Sequence, residues 1–210
     1  MTGLTFVQKS LMAATGAAVV SFAGGQAAQA VTFNLGGSNT SSSSISDTVD
    51  GITYSATGFG PDGDRNVVRR SNGLAVTTGG GERNQIDGRN ENDNTPDFET
   101  LKFTFDQVVT LTSASFSNVQ NNDGFRLLVD GIDLTSLNSG LNQNNPFDFT
   151  GFDIADRTGK MFEFTVAQPN DDYRLASLTV EPVPEPLTIL GSLSALGMGA
   201  VLKKKQQNKS

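Results

Sequence analysis

The chain has 210 residues and contains no Cys, His or Trp. This composition excludes a cysteine nucleophile, a zinc finger, an iron–sulfur site and a Ser-His-Asp triad, and it removes the commonest general base. The net charge of −7 is unevenly spread: Lys9, Lys203, Lys204, Lys205 and Lys209 lie near the ends, with Glu181 and Glu185, so residues 31–180 hold 10 of the 15 cations and 20 of the 22 acids. So acidic a segment repels phosphate, which argues against nucleic acid as a partner and suits divalent cations or solubility outside a cell.

Residues 1–30 have the three parts of a secretory signal in order. Lys9 is the positive region, Leu11 to Phe22 is an uncharged apolar stretch, and Ala28-Gln29-Ala30 is a small-residue cleavage site that leaves Val31 as the new N-terminus. The expectation is a signal helix that is removed on export; the alternative is an ordinary buried helix.

Residues 31–180 read as one domain of short strands. Val31–Leu35, Ile52–Thr57 and Leu74–Thr77 are the first candidates, and Ser38 to Ser46 reads as a flexible Ser-rich loop. Phe98 to Phe105 alternates clearly, with Leu101, Phe103 and Phe105 on one face and Lys102 and Thr104 on the other. Val108 to Phe116 starts with Val109 and Leu111 inward, then changes phase to Ala114 and Phe116, which predicts a bulge. Phe125–Val129, Phe147–Thr150, Met161–Val166 and Tyr173–Val180 complete the set. Turn-rich clusters at Gly58 to Asp64, Thr77 to Gly81 and Asn118 to Gly124 separate the runs. No long segment of the middle has helical period, so the expectation is an all-β, jelly-roll-like β-sandwich ectodomain, flanked by the signal helix and a C-terminal transmembrane helix.

Residues 181–210 form a tail in three parts. Val183-Pro184-Glu185-Pro186 comes first, Leu187 to Leu202 follows as 16 uncharged residues, and Lys203-Lys204-Lys205 closes it. A helix of that length spans about 24 Å against a hydrocarbon core of ~30 Å, a mismatch that thinning and lysine snorkelling can absorb. The lysines favour the cytoplasmic side, which puts residues 31–183 outside. Pro184-Glu185-Pro186, the apolar helix 187–202 and Lys203–Lys205 together resemble the PEP-CTERM sorting signal of bacterial exported proteins. The resemblance implies recognition by an exosortase-type membrane protease-transpeptidase, removal of the tail, and delivery to the cell surface or the exopolysaccharide matrix. The alternative is a single-pass anchor that is never cut. Gly73–Val76 with Asn84–Gly88, Leu101–Phe105 with Val108–Phe116, and Asp171–Val180 resemble β-sandwich domains that precede such tails and have no assigned activity.

Asp62, Asp64, Glu99, Asp123, Asp171 and Asp172 offer hard oxygen ligands on predicted loops, as a structural calcium ion requires, although none of these stretches matches the twelve-residue EF-hand loop. Asp, Asn and Gly also occupy turns for backbone reasons alone. Paired carboxylates could hydrolyse glycosides, but no motif singles out a pair. Tyr54, Tyr173, Phe59 and Phe125 could meet a sugar, although Phe125 and Tyr173 equally suit core strands. Arg69-Arg70 and Arg83 with Arg89 suit ion pairs with nearby acids, and Gly79-Gly80-Gly81 lacks the Lys-Ser/Thr of a phosphate loop.

The sequence thus points to an exported, non-catalytic surface protein, structural or adhesive, of the envelope or exopolysaccharide layer. Its implied partners are an exosortase-type enzyme, the membrane and exopolysaccharide. The alternatives are a calcium-dependent carbohydrate-binding module and a polysaccharide-degrading enzyme.

Overall fold

The computed structural model describes residues 29–77, 84–88, 98–137 and 139–184. Ala28, Glu185, Pro186, Lys203, Lys204 and Lys205 lie outside them, as do the stretches expected to form the signal and transmembrane helices. The strands are β1 (Val31–Asn34), β2 (Thr40–Ser42), β3 (Ser44–Val49), β4 (Ile52–Gly60), β5 (Gly63–Arg70), β6 (Gly73–Thr77) and β7 (Ile86–Asp87). They continue with β8 (Thr100–Ser117), β9 (Phe125–Val129), β10 (Ile132–Leu137), β11 (Phe147–Asp148), β12 (Thr158–Thr165) and β13 (Asp172–Pro182). The protein is all-β: among the described residues there is no helix, and so none long and apolar enough to cross a membrane.

β8 organises the fold. Its first half pairs with β4, from Phe59↔Thr100 to Tyr54↔Phe105, and its second half pairs with β13, from Pro182↔Val109 to Arg174↔Ser117. β4, β5, β6 and β13 are joined in succession, so the hydrogen-bonded path leaves β8 and returns to it. On the other edge of β8, β12, β9 and β10 follow in order. The two predicted runs 98–105 and 108–116 are therefore parts of one strand. The predicted bulge is at Thr112: Thr179 pairs with Ser113 and Val180 with Leu111. One extra residue moves the inward set from Leu111 to Ala114 and lets a single strand serve two sets of partners.

Period-2 alternation places one side chain in two in the core. Phe103, Phe105, Phe162 and Phe164 are fully or almost fully buried, and so are Tyr54, Phe125 and Tyr173, which takes those last three away from any sugar. The rings form a connected series of edge and tilted contacts: Phe33–Tyr54 at 5.2 Å, Tyr54–Phe103 at 5.4 Å, Phe103–Phe164 at 6.2 Å, Phe164–Phe116 at 6.3 Å, Phe116–Tyr173 at 5.3 Å, Phe116–Phe125 at 5.0 Å and Phe125–Phe147 at 5.0 Å.

The Ser-rich stretch is not a loop. It forms β2, paired with β5, and β3, paired with β4. A strand needs only backbone partners on one edge, and Ile45, buried, with Val49, partly buried against the core, supplies the apolar anchor of β3. Val49-Asp50-Gly51-Ile52 and Val129-Asp130-Gly131-Ile132 are identical tetrapeptides, and each turns a hairpin with positive φ at both central residues (49° and 81°; 49° and 83°). That is the geometry for which Asp-Gly is suited, because glycine has no Cβ to clash.

Candidate functional site

The outward faces of β4, β8, β12 and β9 make a groove of about 620 Å³. Strand register sets its floor as two adjacent rows. One row runs Thr57–Lys102–Glu163–Leu128, and the next runs Phe59–Thr100–Thr165–Arg126. These are the residues left outside when Leu101, Phe103, Phe162, Phe164 and Leu127 turn inward. Lys102 Nζ sits 4.2 Å from the centre of the Phe59 ring, a cation–π contact that holds both side chains on the floor. Phe98, 42 % exposed, stands at one side, and Val166 and Ala167 close the end toward β13. Arg126 is exposed and pairs with Asp133 at 2.8 Å, a surface contact of little energetic weight. The groove thus combines two exposed or half-buried phenyl rings with two cations on a domain whose charge is otherwise strongly negative.

The acidic candidates divide among several places. Asp62 and Asp64 lie on the β4–β5 hairpin beside a shallow dip with Arg65, Asn66 and Thr77. Glu99 is fully buried and accepts from Arg65 Nη1 at 2.8 Å and, through its other oxygen, from the Asp87 N–H at 3.3 Å. It is an internal structural partner, not a loop ligand. Asp172 Oδ1 accepts from Gln85 Nε2 at 2.6 Å. Asp123 and Asp171 are both buried, and each closes a turn by accepting from a backbone N–H three residues earlier, Gln120 and Gln168 respectively; burial raises both carboxyls, Asp171 to about 6. Among the described residues no group of three or more acidic side chains gathers at one place.

Arg69 donates to the Tyr54 hydroxyl at 3.0 Å, not to an acid as the sequence suggested. The reading from sequence missed Lys102 and Arg126, since they become neighbours only through strand register. Their alternation opposite Phe103 and Leu127 was the available signal. At the edges of the strand region, Ala30 is exposed just ahead of β1, and Pro184 is exposed just after β13, which runs two residues past the expected domain boundary. No protein-family model matches the chain, and neither a curated protein nor a solved structure is significantly similar to it.

Proposed function

We propose that this is an exported, non-catalytic surface protein whose β-sandwich, jelly-roll-like domain holds an acidic exopolysaccharide chain along the β4–β8–β12–β9 groove. The observation that carries this reading is the pair of rows across the four strands. Phe59 and Phe98 offer apolar faces to the C–H faces of sugar rings, Lys102 and Arg126 attract carboxylate or sulfate substituents, and Thr100 and Thr165 supply hydroxyls. An extended polymer fits an open trough better than a small metabolite, which favours an enclosed pocket. Glu163 is the one carboxylate among the residues lining the groove, and it faces Lys102 across the strand pair; glycoside hydrolysis ordinarily needs two carboxylates.

In this proposal the address comes from the ends of the chain. Residues 1–30 direct export, and the Pro184-Glu185-Pro186 motif, the apolar stretch 187–202 and Lys203–Lys205 direct sorting by an exosortase-type enzyme to the surface or matrix. The fold adds one compatible feature: the chain leaves β13 at an exposed Pro184, where a membrane protease could reach it.

Cosedimentation of the purified protein with the host's exopolysaccharide tests the binding reading. The expected result is binding that weakens with salt and falls roughly 5- to 10-fold in Phe59→Ala and in Lys102→Ala. Equal binding by both variants would remove the groove from consideration, and a shortened polysaccharide would favour the enzyme instead. For the sorting reading, Glu185→Ala is expected to leave the tail uncut. An unchanged mature mass would leave only a plain anchor.

A further inference from the structure

The first and last strands of the fold meet the rest of the chain at one end. β1 and β13 pair with Val31 opposite Val180, so β1 starts beside the place where β13 finishes. At the exit the Val183 N–H donates to the Val108 carbonyl at 3.0 Å, and Pro184 beyond it is exposed. Only Pro184-Glu185-Pro186 separate Val183 from Leu187, the first residue of the apolar stretch. Four residue steps reach about 14 Å at full extension, and the headgroup layer on each side of the hydrocarbon core takes up about 5–8 Å of that. An anchor that begins at Leu187 therefore leaves the exit end at most about 9 Å from the headgroups, and any bend in the linker closes the gap.

The same end carries exposed apolar side chains. Three large ones are exposed among the described residues: Phe98, which belongs to the groove, Ile132 at 75 % and Ile154 at 63 %. Ile132 follows the Asp130-Gly131 turn. Asp130 Oδ1 accepts from the Lys160 N–H at 3.2 Å and the Met161 N–H at 2.9 Å, and Lys160 Nζ donates to the carbonyl of Asp106, two residues from Val108, at 3.1 Å. The Ile154 carbonyl accepts from Thr158 Oγ1 at 2.5 Å, and Thr158 pairs with Thr110, whose partner on the other side is Glu181. β13, β8, β12 and β9 are successive neighbours at ~4.8 Å per strand, so the exit, the Ile154 loop and the Ile132 turn fall within about 20 Å of one another. An isolated exposed isoleucine needs no explanation. These two share the end that the length of the linker brings to a bilayer. The groove lies the other way: Phe59 pairs with Thr100 at the far end of the β4–β8 ladder, and Tyr54 with Phe105 at this one.

We propose that this end of the fold docks on the zwitterionic headgroup layer of the membrane that holds the tail, with Ile132 and Ile154 set among the headgroups and the groove turned outward. The inference rests on the reading of residues 187–202 as a membrane anchor. Charge selects the lipid. Asp50, Asp153 and Asp156 are exposed and Glu181 is half-buried, whereas the cations here are Lys160, exposed, and Arg157, half-buried with Nη1 donating to the Leu111 carbonyl at 2.8 Å. An acidic rim is repelled by anionic lipid and accepts a neutral surface. Two isoleucines inside such a rim make a contact that the tether sustains, so removal of the tail frees the domain from the membrane.

The chain has no Cys, so Ile132→Cys, Ile154→Cys and Asp62→Cys each provide one attachment point for an environment-sensitive fluorophore. All three positions are exposed, and Asp62, on the β4–β5 hairpin at the groove end, is the reference. The test uses the full chain with its tail uncut, reconstituted in phosphatidylcholine vesicles that carry a lipid-borne quencher near the headgroups. Resistance to alkaline carbonate extraction reports insertion of the tail separately. The expected result is quenching at 132 and 154 at least about 3-fold stronger than at 62, and weaker when phosphatidylglycerol is mixed in. Equal, weak quenching at all three positions of a carbonate-resistant chain overturns the docking and leaves the anchor standing. A chain that carbonate extracts overturns the anchor and the docking together. Stronger quenching with phosphatidylglycerol overturns the assignment of a neutral surface. A spectral change at 132 or 154 that follows protein density and ignores the lipid quencher overturns the proposal in favour of a second copy of the chain. No readout involves polysaccharide, so failure here is separate from failure of the binding proposal.

Discussion

Replacing Arg65 with Met is expected to be among the most damaging single changes outside the apolar core. Arg65 and Glu99 are joined at 2.8 Å with side-chain exposures of 6 % and 0 %. Glu99 is also a backbone junction: its N–H donates to the Asp87 carbonyl at 3.0 Å, and its own carbonyl accepts from Thr165 Oγ1 at 2.7 Å. Its carboxylate therefore cannot turn to solvent without releasing β7 and the end of β12. Removing one member of a buried ion pair costs about 3–5 kcal/mol, because the remaining charge is left desolvated. For a domain of this size that lowers the melting temperature by roughly 6–20 °C. The double variant Arg65→Met with Glu99→Leu removes both charges together and is expected to recover most of the loss, giving a coupling energy of at least about 2 kcal/mol in the cycle. Gly60→Ala supplies a second check that keeps both charges in the chain. A Cβ there would collide with the Arg65 guanidinium, which the pair holds in place, so the variant should also be destabilised. Urea unfolding at pH 7 measures all of these. If Arg65→Met stays within about 0.5 kcal/mol of wild type, Glu99 is either hydrated or protonated and the reasoning fails.

Three other outcomes are expected. Gly73→Ala should cost roughly 2–4 kcal/mol, since φ is 143° there and a Cβ would strike the Leu175 carbonyl oxygen at the single bridge joining β6 to β13; thermal melts compare it with Gly63→Ala, where space is open. Phe164→Ala should cost about 3–5 kcal/mol by leaving a cavity among Phe103, Phe116 and Phe125, and xenon or benzene uptake would reveal that cavity. Tyr54 and Tyr173 are the only tyrosines, and burial raises both phenols, so stability falls above pH 10 as the unfolded chain ionises first; absorbance at 295 nm should rise only together with unfolding, and an early independent rise would contradict the burial.

Alternation made most of the fold legible, and it failed where strands carry no apolar code. Phe125–Val129 was readable to the residue, because Phe125, Leu127 and Val129 face inward and Arg126 outward. β5 was not, because Asp64, Arg65, Arg69 and Arg70 belong to a strand whose side chains find polar partners: Arg65 takes Glu99 and Arg69 takes Tyr54. Nor was β10, an edge strand with Ile132 75 % exposed.

Chemistry followed the same division. Asp123 and Asp171 stood in the sequence only among six oxygen-ligand candidates on turns. What decides their chemistry is the number of donors that reach them, and that number depends on which turn lands beside which after β8, β12 and β13 have paired. A sequence counts potential ligands, whereas burial counts unsatisfied oxygens. With six acids in view calcium was a reasonable expectation; the structure distributes those acids among several places. The groove was hidden for the same reason. Lys102 and Arg126 are 24 positions apart and sit on strands that do not pair with one another, and the intervening β12 brings them to one floor.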